Sequence, residues 1–447
     1  MKAKRNVKQI LLALNEDGLG PLTFGFHIAR GILKQNANVQ LHVRREGLIS
    51  YFQKWILKYS RQEKWQGEIL AVEPVNNLIR VYKERGQVDL KATMNNLINY
   101  PQERLKYLRA STNSDYDLII DFGVPTIAAF AAKANIPHVT IFDHSWGLTL
   151  TQLAEEYTKN YFKPKLTEEI FSLIKPALSA IKADEACTDA VYLFPPYITP
   201  PEFHQHWHHL GVPIKVFSGI FGSSAPSHAA TNEASMERKF GIVANEKAVL
   251  ISGGGTGVWD SLIPELIEAF LIYEWEKKLD YHLLIYATDE YLKVREQELA
   301  ITHPVRPFSV NFVIPKLSDG TNSQKVKLLR FKQELIYQDI IDGMNLIISR
   351  AGGATVNDAI GRRVPLVLIP EPGQWQVERI RKALEDEGLA GQSIPFAVFT
   401  SNPKETIKEI SSRVRDNAAN ARIRSNMEKI ATEQEFWFAE EIMKLCW

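Results

Sequence analysis

Cysteine is nearly missing: Cys187 and Cys446 are the two in 447 residues, far apart and in no metal-binding spacing. A disulfide framework is thereby excluded, and a reducing compartment is implied. Charge of one sign is missing as well. Lys+Arg number 53 against Asp+Glu 52, a net charge of +1, so no global field recruits nucleic acid or an anionic membrane. Long hydrophobic runs are a third absence. No stretch approaches the ~20 apolar residues of a membrane span, which leaves peripheral contact as the most a membrane could receive. Lys2, Lys4, Arg5 and Lys8 make a basic start, but the apolar run at 10–14 is too short for a signal-peptide core and reads as a first β-strand. A cytoplasmic protein is expected, with no internal repeat and no low-complexity tract.

What is present is alternation. Strand and helix patterns follow one another throughout, the signature of an α/β fold with parallel sheets. In the first half, residues 9–14, 39–44, 117–121, 138–142, 190–194 and 215–217 read as strands, and 22–35 and 126–134 as helices. Residues 48–112 read as a mostly helical, aromatic-rich insertion. The composition breaks at 219–232, rich in Gly, Ser, Ala and Pro, where a linker is expected. The alternation then restarts with strands at 248–252, 281–287, 310–314, 346–348 and 364–369, while 316–334 is polar and Lys-rich and reads as a loop insertion. This gives a first domain at 1–220, a linker at 221–235, a second domain at 236–430, and a final helix at 431–447 that packs back on the first domain.

The segment 345–389 is the most informative. A short apolar strand runs into Ser349, Arg350, Ala351, Gly352 and Gly353 and then a helix, so main-chain N–H groups at a helix N-terminus face outward from the strand end, as an anion site requires. A second buried strand, a Pro-Glu-Pro-Gly turn and a helix opening with Gln376, Glu378 and Arg379 follow. Earlier in the same half, Gly253, Gly254, Gly255, Thr256 and Gly257 also stand between a strand and a helix, where glycine lets main-chain amides approach a diphosphate. A dinucleotide fingerprint would need glycine where Val258 stands, and a P-loop would need a Gly-Lys-Ser/Thr ending, so neither motif applies. Two such junctions in one parallel sheet can converge on one pyrophosphate.

These residues resemble the donor-binding domain of GT-B glycosyltransferases, in particular the family 28-like group that contains the peptidoglycan N-acetylglucosaminyltransferase. Ser349 to Val356 is similar to that group's Ser/Cys-Arg-Ser/Ala-Gly-x-x-Thr-Val element, Thr355 included, and Gly253–Gly257 to its glycine loop beneath the diphosphate. The resemblance implies two Rossmann-like domains facing across a cleft, with Asp358 on the ribose hydroxyls and Gln376 on the donor sugar; Arg350, a guanidinium between two phosphate cradles, reads as a phosphate clamp, with the cap of a strand end as the plainer alternative. It implies an inverting transfer of sugar from a nucleotide diphosphate sugar, a UDP-sugar among them, which serves as co-substrate with no further cofactor; Gly254, Gly255, Arg350, Gly352 and Gly353 would stabilise the leaving diphosphate, so no metal is required for that task. Bland readings stand beside these roles. Asp358 could be an exposed acid in a helix's first turn, Gln376 and Glu378 a solvated helix start, and Arg379 and Arg381 plain surface charges.

In the first domain, Asn15-Glu16-Asp17-Gly18-Leu19-Gly20-Pro21 is similar to the family's Gly-x-Gly-His loop, with Pro21 where histidine is usual. That histidine's role does not carry over, although proline suits a helix's first turn. A base to deprotonate the acceptor hydroxyl is then sought elsewhere. Asp143 and His144 follow a strand, with Trp146 as a stacking surface, and Asp17 is the other possibility; each could equally be a helix cap. His204, His206, His208 and His209 invite a zinc reading, but their spacing fits no standard site and no metal is expected. Residues 48–59, apolar and aromatic with Lys54 and Lys58, read as a helix packed on the sheet ahead of a membrane-surface or lid helix. Two other functions remain open: a nucleotide-sugar hydrolase or epimerase, and an inactive nucleotide-sugar-binding partner protein. A nicotinamide dehydrogenase using Asp289 is the most distant.

Overall fold

The structure is a computed structural model that describes residues 7–15, 20–45, 49–73, 78–79, 83–84, 87–88, 90–110, 115–142, 146–161, 164–222, 240–243, 246–253, 259–277, 279–287, 291, 299–301, 311–315, 325–330, 337–350, 352–371, 375–432 and 434–446. The chain divides into two compact units. One comprises Met1–Asp17, Pro21–Gly219 and Gln434–Trp447, the other Gly18–Gly20 and Ile220–Glu433.

In the first unit, strands β1 (Lys8–Leu14), β2 (Val39–Arg45), β3 (Glu68–Glu73), β6 (Leu118–Phe122), β7 (His138–Phe142), β8 (Ala190–Leu193) and β9 (Ile214–Val216) form one sheet in the order β3-β2-β1-β6-β7-β8-β9. Every pairing in it is parallel. A separate two-stranded ladder joins β4 (Lys83–Glu84) and β5 (Gln87–Val88). Parallel strands covered on both faces read as continuous apolar runs, and β1 and β6 are buried over such runs. Residues 48–112 are thus less helical than their composition suggests, because the Glu68–Glu73 segment supplies the edge strand β3.

Helix Ile49–Glu63 buries Phe52 and Trp55, and Phe26 of helix Gly20–Gln35 packs edge-on against Trp55 and Tyr59. The packed-helix reading therefore describes this segment. Among the described residues no helix is long and apolar enough to cross a membrane. The last helix, Glu435–Met443, is part of the first unit and is held there by Arg30. That guanidinium meets Glu63 at 2.8 Å and the fully buried Glu435 at 2.6 Å.

The second unit contains β10 (Lys247–Ser252), β11 (Tyr281–Tyr286), β12 (Leu299–Ile301), β13 (Asn311–Pro315), β14 (Val326–Arg330), β15 (Leu346–Ser349) and β16 (Leu366–Leu368). Their order is β12-β13-β14-β11-β10-β15-β16. The five strands from β14 to β16 run parallel, and β12 and β13 are antiparallel additions at one edge. Strand β14 corrects the loop expected over 316–334. Its Val326, Leu328 and Leu329 are buried in the sheet interior. Lys325, Lys327 and Arg330 gave the segment its polar look, yet Lys327 is itself 5% exposed, with Nζ 3.3 Å from His282 Nδ1. The composition break at 219–232 also overlaps packed residues. Ile220 and Phe221 are buried in the second unit, and the Ile220 N–H donates to Thr432 O at 2.8 Å.

Candidate functional site

The site grows from the strand order. Strand β10 leads by a crossover to β11 on one side, and β15 leads to β16 on the other, so the crossovers diverge between β10 and β15. In parallel α/β sheets such a switch point leaves a crevice at the strands' C-terminal ends. Ser252 and Ser349 are register partners there, each the last residue of its strand. The Ser349 hydroxyl donates to Ser252 O at 2.8 Å. The two glycine junctions therefore leave the sheet side by side.

After Ser349 the chain turns through Arg350 to Gly352, whose N–H donates to Arg350 O at 2.8 Å, and enters helix Gly353–Arg362. Gly352 is the N-cap at φ −83°, and no side chain caps this end. The first-turn N–H groups are thus left to whatever lies beyond the strands, with the positive end of the helix dipole behind them. Gly352 has an ordinary φ, and no atom of the described residues lies within 4 Å of where its Cβ would sit. Packing among the described residues does not require glycine there, whereas close approach of a ligand would. Gly253 differs: a Cβ would meet the Trp259 ring at 3.0 Å, so packing accounts for it.

Arg350 is not a bare cation. Its Nη2 lies 3.3 Å from Oε2 of Glu371, a buried acid in the turn after β16. This pairing, invisible in the sequence because an acid in a Pro-Glu-Pro-Gly turn reads as solvated, orients the guanidinium at the strand ends. Thr355 and Gln376 are half-buried, the first in the helix's first turn and the second at the start of helix Trp375–Asp386. Arg381, expected as a surface charge, is largely buried and bonds Glu378 and Glu385, and Nη1 reaches Ser393 Oγ at 3.4 Å.

Asp358 lies beyond the first turn and is 1% exposed, which removes the reading as an exposed cap. Its Oδ1 accepts from Gln338 Nε2 at 2.9 Å and from Asn357 Nδ2 at 3.2 Å. Neither amide stood out in the sequence, since a glutamine and an asparagine carry no spacing signal. Gly254, Gly255, Thr256, Gly257 and Ala351 lie outside the described residues, as do Asp289 and the proposed bases Asp17, Asp143 and His144.

The first unit shows what flanks the Asp143–Ser145 junction. Trp146 opens helix Trp146–Tyr161 and is buried, its indole N–H donating to Gly123 O at 2.8 Å, so it is a packing anchor and not a stacking surface. The Gly147 N–H donates to Glu185 Oε1 at 3.1 Å, and Glu185 Oε2 sits 3.0 Å from His206 Nε2. A buried carboxylate at a helix N-terminus is favourable, and it gives one histidine of the 204–209 cluster a structural partner. Burial pushes the His204 imidazole below its ordinary range. Pro21 occupies the first turn of helix Gly20–Gln35.

Residues 277–434 match the glycosyltransferase family 28 C-terminal domain. No curated protein sequence matches the chain. Solved structures match it over its length. The glycotransferase of kitacinnamycin superposes with a TM-score of 0.60 at 12% identity, covering 98% of this chain and 99% of that one. Medicago truncatula UGT71G1 complexed with UDP-glucose gives 0.58 at 9% identity, with 100% of both chains covered. LpCGTa in complex with UDP gives 0.57 at 13% identity, covering 98% and 99%. At such identities the likeness is one of fold, an α/β architecture of two units with largely parallel sheets.

Proposed function

We propose that this chain, a GT-B glycosyltransferase resembling family 28 in its second unit, takes its sugar from a UDP-sugar and transfers it to an acceptor hydroxyl with inversion and without a metal. The observation that supports the donor side is the pairing of Ser252 with Ser349 at the switch point, which brings the strand end leading to the Gly352 helix cap next to the strand end leading to Gly253. As the glycosidic bond breaks, negative charge collects on the departing diphosphate. The first-turn N–H groups after Gly352 and the Arg350 guanidinium offset that charge where it develops, which is the task a divalent metal performs elsewhere.

Glu371 holds Arg350 in place for this role. In this reading Asp358 accepts from the ribose hydroxyls and Gln376 bonds the sugar. The acceptor hydroxyl is deprotonated by a first-unit group among Asp17, Asp143 and His144, with Glu185 and His206 fixing the helix that follows the latter two. Thermal denaturation across nucleoside diphosphates and their sugars tests the reading. A ligand at ~100 times its Kd should stabilise the protein by roughly 2.7 kcal/mol. Absence of a shift with every nucleotide of the panel would sink it.

A further inference from the structure

Asp358 stands in a network of buried amide and main-chain hydrogen bonds. Gln338 Nε2 donates to Asp358 Oδ1 at 2.9 Å and to Phe221 O at 3.2 Å. Asn357 Nδ2 donates to the same two oxygens, at 3.2 Å and 2.8 Å, while its Oδ1 accepts from the Phe221 N–H at 2.8 Å. Two amide donors thus share two acceptors, and Asn357 pairs both main-chain groups of Phe221. Gln338, Asn357, Asp358 and Phe221 are all buried. Each amide's orientation is dictated, because turning either over would aim an oxygen at an oxygen. Gly222 completes the arrangement: at φ +102° a Cβ there would stand 2.3 Å from Gln338 Nε2.

A buried carboxylate needs donors, but it does not need to be tied to the segment by which the chain enters the unit. We infer that Gln338 and Asn357 are positioning residues for the nucleotide: they set the carboxylate plane of Asp358 and fasten it to the Phe221 backbone. This inference rests on the reading in which Asp358 accepts from the ribose hydroxyls. With Oδ1 held by two donors, the orientation of the carboxylate is set before a ribose hydroxyl meets it. A hydroxyl bound to an oriented carboxylate contributes more than one that must first order it.

The test is calorimetric titration of the full chain with UDP and with 2′-deoxy-UDP. The wild-type protein should prefer UDP by about tenfold or more, the range of a charge-assisted hydrogen bond. Gln338→Met keeps the volume and removes the donor. It should bring that preference to within about threefold of unity while leaving 2′-deoxy-UDP affinity within about twofold of wild type. A purely structural role would lower both affinities together and leave their ratio intact, which would overturn the inference. Asp358→Asn separates the two levels, because an asparagine oxygen still accepts from both amides. If Asp358→Asn abolishes the preference and Gln338→Met does not, the positioning role fails and the ribose reading stands. If Asp358→Asn keeps the preference, the ribose reading itself fails. Should Gln338→Met not fold, Gln338→Asn withdraws the amide by one methylene and answers the same question.

Discussion

The Ser349 hydroxyl donates to the main-chain oxygen of Ser252 at 2.8 Å, joining the last residues of two parallel strands at the point where the chain's crossovers diverge. Both serines are buried, so the bond fixes the relative height of the two glycine junctions. Ser349→Ala should cost about 1 kcal/mol in the urea unfolding of the second unit, and the affinity for UDP should fall severalfold. Unchanged affinity would show that the junctions do not act together.

Gly352→Ala separates ligand approach from folding. The cap residue has an ordinary φ, and no atom of the described residues stands within 4 Å of where a Cβ would go, so stability should change by less than about 1 kcal/mol. A methyl group in that space would stand where a diphosphate must meet the helix N-terminus, and UDP affinity should drop at least about tenfold. Circular dichroism melts and a UDP titration on the same preparation measure both.

Arg30 should be among the most sensitive positions in the first unit. Arg30→Met removes the 2.6 Å ion-pair partner of the fully buried Glu435, a loss of about 3–5 kcal/mol. The double variant Arg30→Met, Glu435→Gln should recover part of it in urea denaturation, and failure to recover any would mean that packing of the final helix dominates.

Lys327 carries a pH signature. Burial lowers its ammonium from 10.5 to about 8, with Glu246 opposing the shift. Between those values the unfolded chain binds the proton and the folded chain does not, so stability rises with pH from about 8 to 10.5, by up to about 3 kcal/mol. Lys327→Met should flatten that rise and stabilise the protein at pH 7. His282 beside it is also lowered, first by burial and then by Lys327, so its effect falls at more acidic pH. Chemical denaturation at pH 7.5 and 10 resolves the two.

Much of this was legible in the residues. Apolar runs placed most of the parallel strands, and two strand–glycine–helix junctions in one half pointed to the two strand ends that pair at Ser252 and Ser349. What escaped has common causes. Lys325, Lys327 and Arg330 disguised a central strand because composition does not reveal that a lysine is buried against a histidine. Trp146 beside the proposed base looked like a ligand surface, and only the fold shows its indole bonded to Gly123. Gln338 and Glu371 meet Asp358 and Arg350 through tertiary contacts that no local spacing encodes.

The claim that two junctions make one diphosphate site is tested most directly by titrating the wild-type protein with UDP, UMP and uridine. Each phosphate engaged by main-chain N–H groups and Arg350 should contribute about tenfold or more, giving UDP well ahead of UMP and UMP ahead of uridine. Arg350→Met should compress that series. Binding of all three within about threefold of one another would contradict the account.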